Sequence, residues 1–469
     1  MIYLDYSATT PVNEEVINTY SRVCREFIGN PNSLHKLGIE AKKIIDASTM
    51  QIANILGVKQ SEIIYTSGAS EANNLAIKGV TSKYKNRGKH IITTELEHSS
   101  IIAPLNYLQE EGYDIDFVKL DDNGLVDLDD LENLIRDDTV LVSIASVNSE
   151  VGIMQDMNKI SEVVRRHKKV LLHSDVTQSI GKTKFDFSLV DLASMSCQKF
   201  FGMKGIGALI KRENLVIEPI IHGGKSTTIY RSGTPATPLI VSFAKSLRLT
   251  YDNFKEKENH VKEIHDYLIS KLQNLDVYIN SNNYSINNIV NFSLKNIKSE
   301  VMLHALEEKG IYISTQTACS TGSYSRAVYA VCHDKERASR SMRVSISYLT
   351  TRDEIDEFIK ELEIEINRNR EKYEKLFPKE KKKTIVKQKP QYKPGSIGEQ
   401  KKLEKIEEIN NMITIQSNFI GRKRYYKSST SNKPPEMYYN PKEKFCAQCL
   451  SMHLPGAHKT NKVQPSPFN

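Results

Sequence analysis

Short runs rich in Ile, Val and Leu recur along the first 378 residues, separated by longer stretches in which apolar positions return every three or four residues. "EIIYTSG", "KHIITTE", "DIDFVKL", "TVLVSIASV", "VLLHSDV" and "LASMSC" are of strand length and mostly apolar, as strands covered on both faces are. Between them, segments such as "SEANNLAIKGVTSKYKNRG" and "MNKISEVVRRHKKV" have helical spacing. Strand and helix alternating in this way predict an α/β fold of βαβ units, with a mostly parallel sheet under helices. A long helical pattern begins near Pro238 and runs past Lys255. After it, strands near "IVNFSL" and "IYIST" and a helix from about Thr351 to Lys375 predict a second, smaller α+β unit.

Past Phe377 the periodicity stops. "PKEKKKTIVKQKPQYKPGSIGEQKK" is too polar to bury a core and reads as a linker, followed by one short helical pattern, "EQKKLEKIEEINNMI". The expected division is a large α/β domain over 13–250, a small α+β domain built from 1–12 and 251–378, and a Lys- and Pro-rich linker and tail over 379–469.

Composition changes this picture in two places. The net charge of +8 is concentrated at the end of the chain. From Lys379 onward there are 19 Lys and Arg against 7 Asp and Glu, about +12, which leaves the preceding residues at about −4. Any nucleic-acid reading of the charge therefore belongs to the tail. Six irregularly spaced cysteines in 469 residues do not form a disulfide framework, no apolar run reaches membrane-spanning length, and "MIYLDYSATTPVNEE" lacks the pattern of a secretory leader. A reduced, cytoplasmic protein is expected.

The chemistry starts from "SMSCQKFFGMKGIGALI", where Lys199 sits between apolar segments, and "LLHSDVTQS", where Asp175 follows a strand. In open α/β sheets ligands bind beyond the carboxyl ends of strands, so the two side chains can share a crevice. Pyridoxal phosphate needs that pair: a lysine to hold it covalently and an acid to keep its ring nitrogen protonated. Each residue taken alone reads first as an ordinary strand end near solvent. The turn in "YTSGASEANNLAIKG" opens a helix near Ser70, where free N–H groups suit a phosphate, or simply a loose capping box. His98 follows a strand in "TTELEHSSI" and is able to stack on a ring and move protons. Cys319 lies in the polar segment "STQTACSTGSYSR" and reads as a thiolate nucleophile, whereas Cys24 and Cys332 read as structural cysteines among apolar neighbours. Arg343, in "SMRVSISYLTT", suits a bidentate grip on a substrate carboxylate.

Taken in order, "YLDYSATTP", "GNPNSLH", "TSGASEANNLAIKG", "LEHSS", "SVNSEVG", "HSDVTQSIGK", "SCQKFFGMKGIGAL", "HGG", "YRSGT", "TACST" and "RVSIS" resemble the cysteine desulfurases of the NifS/IscS type, which have the class V aminotransferase fold. The resemblance spans about 375 residues. It implies a fold type I, pyridoxal-phosphate-dependent homodimer that converts L-cysteine to L-alanine and passes sulfur to an acceptor protein, for iron–sulfur cluster assembly or thiolation. By the same resemblance Lys199 holds the cofactor, Asp175 pairs with the ring nitrogen, Gln178 lies near the ring oxygen and His98 stacks on the ring. Ala69, Ser70, Ser196 and Thr234 contact the phosphate, Thr234 from the partner subunit. Cys319 takes the sulfur and Arg343 the substrate carboxylate.

The chain departs from the family pattern at four places. Gln198 stands where His is usual, Cys197 where Gly is usual, Ser149 where Asn is usual, with Asn148 adjacent, and "GGKST" replaces "GGGQE". Gln198, Asn148 and Ser149 remain candidate cofactor contacts. Another reaction of the same fold, such as selenocysteine lysis or transamination, and a non-catalytic scaffold are the alternatives. In the tail, "CAQCLSMHLPGAH" brings Cys446, Cys449, His453 and His458 into a short stretch of zinc-compatible ligand types, or an incidental Cys/His-rich end, and "GRKRYYKSS" offers the charge and aromatic faces of a nucleic-acid contact.

Overall fold

Every predicted apolar run of the first 200 residues becomes a strand of one central sheet. The computed structural model describes residues 1–315 and 324–376. The chain opens with β1 (Ile2–Tyr3), α1 (Glu14–Glu26) and α2 (Lys36–Leu56). It then alternates through β2 (Ile63–Thr66), α3 (Ala69–Tyr84), β3 (His90–Thr93), α4 (Ser99–Glu110), β4 (Asp114–Phe117), α5 (Leu128–Leu134), β5 (Thr139–Ser143), α6 (Met157–Arg165) and β6 (Leu171–Asp175). Two further strands, β7 (Leu192–Ser196) and β8 (Gly207–Lys211), complete the sheet in the order β2-β8-β7-β6-β5-β3-β4. All pairings are parallel except those of β8, which runs against both neighbours.

Burial follows the sequence pattern. Strands β2, β3, β5, β7 and β8 are buried throughout, whereas the edge strand β4 is partly exposed and presents Asp114 and Asp116, charges that discourage edge pairing. Ile64, Leu192 and Leu209 are fully buried under α3 and α4, each contributing about 1.5–3 kcal/mol. A separate cluster on the other sheet face includes Ile92, Val142 and Phe243.

The single helix expected from Pro238 past Lys255 is two helices, α7 (Thr237–Tyr251) and α8 (Phe254–Leu272). Asp252 turns extended and Asn253 adopts φ 53°, ψ 34°, a left-handed conformation that Asn tolerates better than most residues. Beyond it come β9 (Val277–Ile279), β10 (Ile289–Leu294), α9 (Ser299–Glu307), β11 (Ile311–Tyr312), α10 (Arg326–Cys332), α11 (Lys335–Ser339), β12 (Ser341–Ser345) and α12 (Arg352–Leu376). The antiparallel sheet β12-β10-β9 packs its own core of Val290, Phe292, Met342, Val344 and Phe358, with Leu4 from the chain start.

The first 13 residues tie the two sheets together. Ser345 N–H donates to the Leu4 carbonyl at 2.7 Å, and Thr10 N–H and Asn13 N–H donate to the Gln198 and Phe201 carbonyls at 2.9 and 3.0 Å. Cys24, read as structural, is exposed: it lies one residue beyond Val23, about 100° round the helix from the buried face of α1. Cys332 is half-buried.

Candidate functional site

The carboxyl ends of β2, β3, β5, β6 and β7 converge on one cavity of about 430 Å³. After β7 the chain makes a single 3-10 turn, Cys197–Lys199. Lys199 Nζ donates to the carbonyls of Ser7 and Ala8 at 2.7 and 2.6 Å, so the N-terminal arm supplies the acceptors that let a lysine sit inside. Cys197 points the other way into the core, where burial pushes its thiol up to about 12 and keeps it unreactive.

Asp175 ends the neighbouring strand and lines the same cavity. One carboxylate oxygen accepts from Asn73 Nδ2 at 2.8 Å and the other from Thr177 N–H at 2.9 Å. Both donors are neutral, and the residue is 7% exposed, so a buried charge faces the cavity without a salt-bridge partner among the described residues. Asn73 also donates to Ser100 Oγ at 2.8 Å, which lies 2.8 Å from His98 Nδ1. Ser100 N–H donates to that same Nδ1 at 3.1 Å, so Nδ1 is the acceptor and the neutral ring carries its proton on Nε2. Burial lowers the His98 pKa against the pull of Asp175, and Lys199 lowers it further, which favours the neutral ring.

At the end of β2, Gly68 and the first turn of α3 form a third side. The Ala69, Ser70 and Glu71 N–H groups stand at a helix start that lines the cavity and have no intrahelical carbonyl. A Cβ at Gly207 on β8 would lie 2.7 Å from Gly68 Cα and 2.4 Å from the Met195 carbonyl, so bare glycine lets this turn close down on the sheet. Glu71 would repel an anion here, but Arg231 Nε donates to its carboxylate at 2.9 Å.

Arg343 enters from β12. It is 2% exposed, with Nη2 donating to Asp5 at 2.7 Å and Nη1 to the Ser149 carbonyl at 2.8 Å; Nε is buried with no partner among the described residues.

The structure thus gathers Lys199, Asp175, His98, Ala69, Ser70, Ser149, Gln178, Ser196, Gln198 and Arg343 around one cavity. Asn148 does not line it: its amide donates to the Leu96 carbonyl at 2.7 Å and accepts from Glu150 and Val151 N–H, building the turn that presents Ser149. Thr234 is exposed and does not line it either. Cys319, Cys446, Cys449, His453 and His458 lie outside the described residues. Among the described residues no cluster of His, Cys, Asp or Glu could hold a metal, and no helix is long and apolar enough to cross a membrane.

Sequence reasoning missed Asn73, Ser100, Asp5 and Glu97. The signal for Asn73 was a polar residue on the otherwise apolar face of "EANNLAI". Glu97 accepts from Thr94 Oγ1 at 2.9 Å and Ala145 N–H at 2.8 Å, tying the His98 turn to the end of β5. Burial raises its pKa to about 8.

Residues 2–358 match the model of the aminotransferase class V family. The chain belongs to that family. Among class V relatives, the cysteine desulfurase IscS of Dictyoglomus turgidum is 35% identical over 362 residues, covering 76% of this chain and 92% of that protein. A solved NifS-like protein superposes with a TM-score of 0.75 at 35% identity, covering 78% of this chain and 99% of its own. SspA, solved in complex with cysteine, has a TM-score of 0.67 at 29% identity, covering 75% of this chain and all of its own.

Class V aminotransferases imply pyridoxal phosphate, and the residues present fit it. Among the described residues the buried Asp175 carboxylate has no positive partner of the kind a protonated ring nitrogen provides, Lys199 lines the same cavity, and the open start of α3 suits the phosphate.

Proposed function

We propose that this protein is a pyridoxal-phosphate-dependent cysteine desulfurase that converts L-cysteine to L-alanine and takes the sulfur onto Cys319. The observation that supports it most is the meeting of Lys199, Asp175 and Arg343 in one cavity. Lys199 would hold the cofactor, Asp175 its ring nitrogen, and the α3 turn with Ser196 and Gln198 its phosphate. When bound, the cofactor supplies an electron sink for the bond being broken at the substrate.

The chain's own groups do the rest. Arg343, oriented by Asp5 and the Ser149 carbonyl, is the buried cation available to the substrate carboxylate. Lys199 Nζ moves the substrate α-proton, and His98, neutral with its proton on Nε2, suits giving a proton rather than holding a charge. The thiolate of Cys319 attacks the cysteine sulfur. The carbon–sulfur bond breaks, a sulfur–sulfur bond forms on Cys319, and a proton replaces sulfur on the carbon that becomes alanine. The persulfide then passes to an acceptor protein.

Cys319 is five residues beyond Ser314, which exchanges two backbone hydrogen bonds with Arg343 at 2.7 and 3.1 Å. An extended chain of that length spans at most about 18 Å. Six residues past Cys319, Ser325 Oγ donates to Glu150, the neighbour of Ser149. Both attachments tie the described flanks of the segment that carries Cys319 to Arg343 and to the neighbour of Ser149; Arg343 and Ser149 line the cavity.

A homodimer completes the reading. Thr234 is exposed and does not line the cavity of its own chain, and Ile28 and Leu34 are 74% and 93% exposed, which suits a surface covered by a second copy. The reduced interior of a cytoplasm suits an enzyme that works through a thiolate.

Purified protein supplied with pyridoxal phosphate and L-cysteine is expected to yield alanine and, with a thiol reductant, sulfide. Lys199→Ala should abolish both, and Cys319→Ser should abolish protein-bound sulfur. Undiminished sulfide release from either variant would overturn the proposal.

A further inference from the structure

Behind Lys199 lies a second cavity of about 230 Å³, between α8, the chain start and the segment after β12. Lys182 lines this second cavity, whereas Gln178 lines the first. It stands four residues after Gln178 in a helical turn, held by Ile180 N–H to Val176 O at 3.1 Å and Lys182 N–H to Ser179 O at 3.0 Å, so the two side chains share one face. Lys182 Nζ bonds to Gln178 Oε1. The other end of the amide, Nε2, donates to the Ser7 carbonyl at 3.0 Å, the same carbonyl that accepts from Lys199.

These partners fix which way the amide faces. A carbonyl oxygen only accepts, so the end against Ser7 is Nε2 and the end against Lys182 is Oε1. Nε2 has two N–H bonds and Ser7 uses one, leaving the second for the cofactor cavity that Gln178 lines. With Oε1 engaged by the amine, the amide offers that cavity a donor.

We infer that Lys182 is a positioning residue, one that locks Gln178 so that the cofactor site recognises an oxygen acceptor at this point, the chemistry of a ring oxygen carrying negative charge. The inference rests on the proposed role of Lys199. Burial and the charges of Lys199 and Arg343 push the Lys182 amine well below the usual lysine range. Charged or neutral, the nitrogen keeps N–H bonds, so it donates to Oε1 in either state. The other titratable groups on the second cavity are Tyr6, Lys257, Glu258 and Tyr348, and among the described residues no carboxylate forms an ion pair with Lys182. The second cavity is large enough for water, which makes an amine tolerable there.

A donor to a ring oxygen stabilises its deprotonated form, so loosening Gln178 should raise the pH at which the bound cofactor's visible absorption changes. The test is a pH titration of that absorption in the full chain loaded with pyridoxal phosphate. Lys182→Met and Gln178→Leu are each expected to raise the midpoint by about one pH unit, and the double variant no further than Gln178→Leu alone. Lys182→Arg, which keeps a donor, should hold the wild-type midpoint. An unchanged midpoint in Lys182→Met, even with a lower Tm, would mean a merely structural role and overturn the inference. Should Lys182→Met not fold, a Lys182→Arg midpoint displaced as far as that of Gln178→Leu overturns it equally. Wild-type protein that gains no visible band with cofactor refutes the desulfurase reading itself, a different failure.

Discussion

On the central-sheet side of the cavity, Lys199 and Asp175 stand at the ends of adjacent buried strands, where neutral groups among the described residues bond to them: carbonyls of the N-terminal arm, the Asn73 amide and the Thr177 N–H. On the opposite side, Arg343 is held by a charge, Asp5, and by the Ser149 carbonyl. Asp175 has no ionic partner among the described residues and leaves its valence for whatever enters; Arg343 spends part of its own on Asp5. The difference teaches what each wall can offer a ligand: a carboxylate in a neutral frame keeps its charge for a partner, whereas a pre-paired arginine offers only part of its own.

Asp175→Asn should break this comparison most severely. The amide keeps the shape but loses the charge, and turnover should fall more than about a hundredfold while the fold survives, checked by steady-state kinetics beside circular dichroism. Arg343→Ala removes one partner of a buried pair and strands Asp5; the expected result is a KM for L-cysteine raised at least about tenfold and a loss of about 3–5 kcal/mol of stability, read by kinetics and denaturant melts. Arg343→Lys should recover stability more than KM, since a lysine keeps charge but not the two-pronged grip.

The smallest effect concerns Glu97. Its pKa is raised from 4.5 to about 8, so the folded protein keeps a proton that the unfolded chain gives up. Its contribution to stability is therefore full below pH 4.5 and declines as pH rises toward 8. Glu97→Gln removes that decline and should gain about 2–4 °C in Tm at pH 8 with little change at pH 4.5, measured by calorimetry. A Tm difference independent of pH would show that Glu97 does not hold its proton.

The central-sheet wall was legible in the sequence because apolar strands announce themselves and polar residues at their ends stand out: Lys199, Asp175 and His98 were each placed at a strand end before any geometry. The opposite wall was less so. Arg343 was identified, but its partner Asp5 is 338 residues away and only the folded chain brings them together. Ser100 was hidden for a related reason, since it looks like an ordinary helix residue until another part of the chain meets it, and Asn73 showed only as a polar residue on an apolar helix face. The break at Asn253 defeated periodicity because both flanking segments are helical and the interruption is two residues long.

The reversed strand β8 has a consequence beyond sheet pairing. By running against its neighbours it brings Gly207, a residue with no side chain, under the turn at Gly68. The floor beneath the start of α3 is thus defined by missing matter: one added methyl would act as a shim, lifting the helix mouth off the sheet, so a side chain at position 207 should reshape the cavity as well as strain the fold.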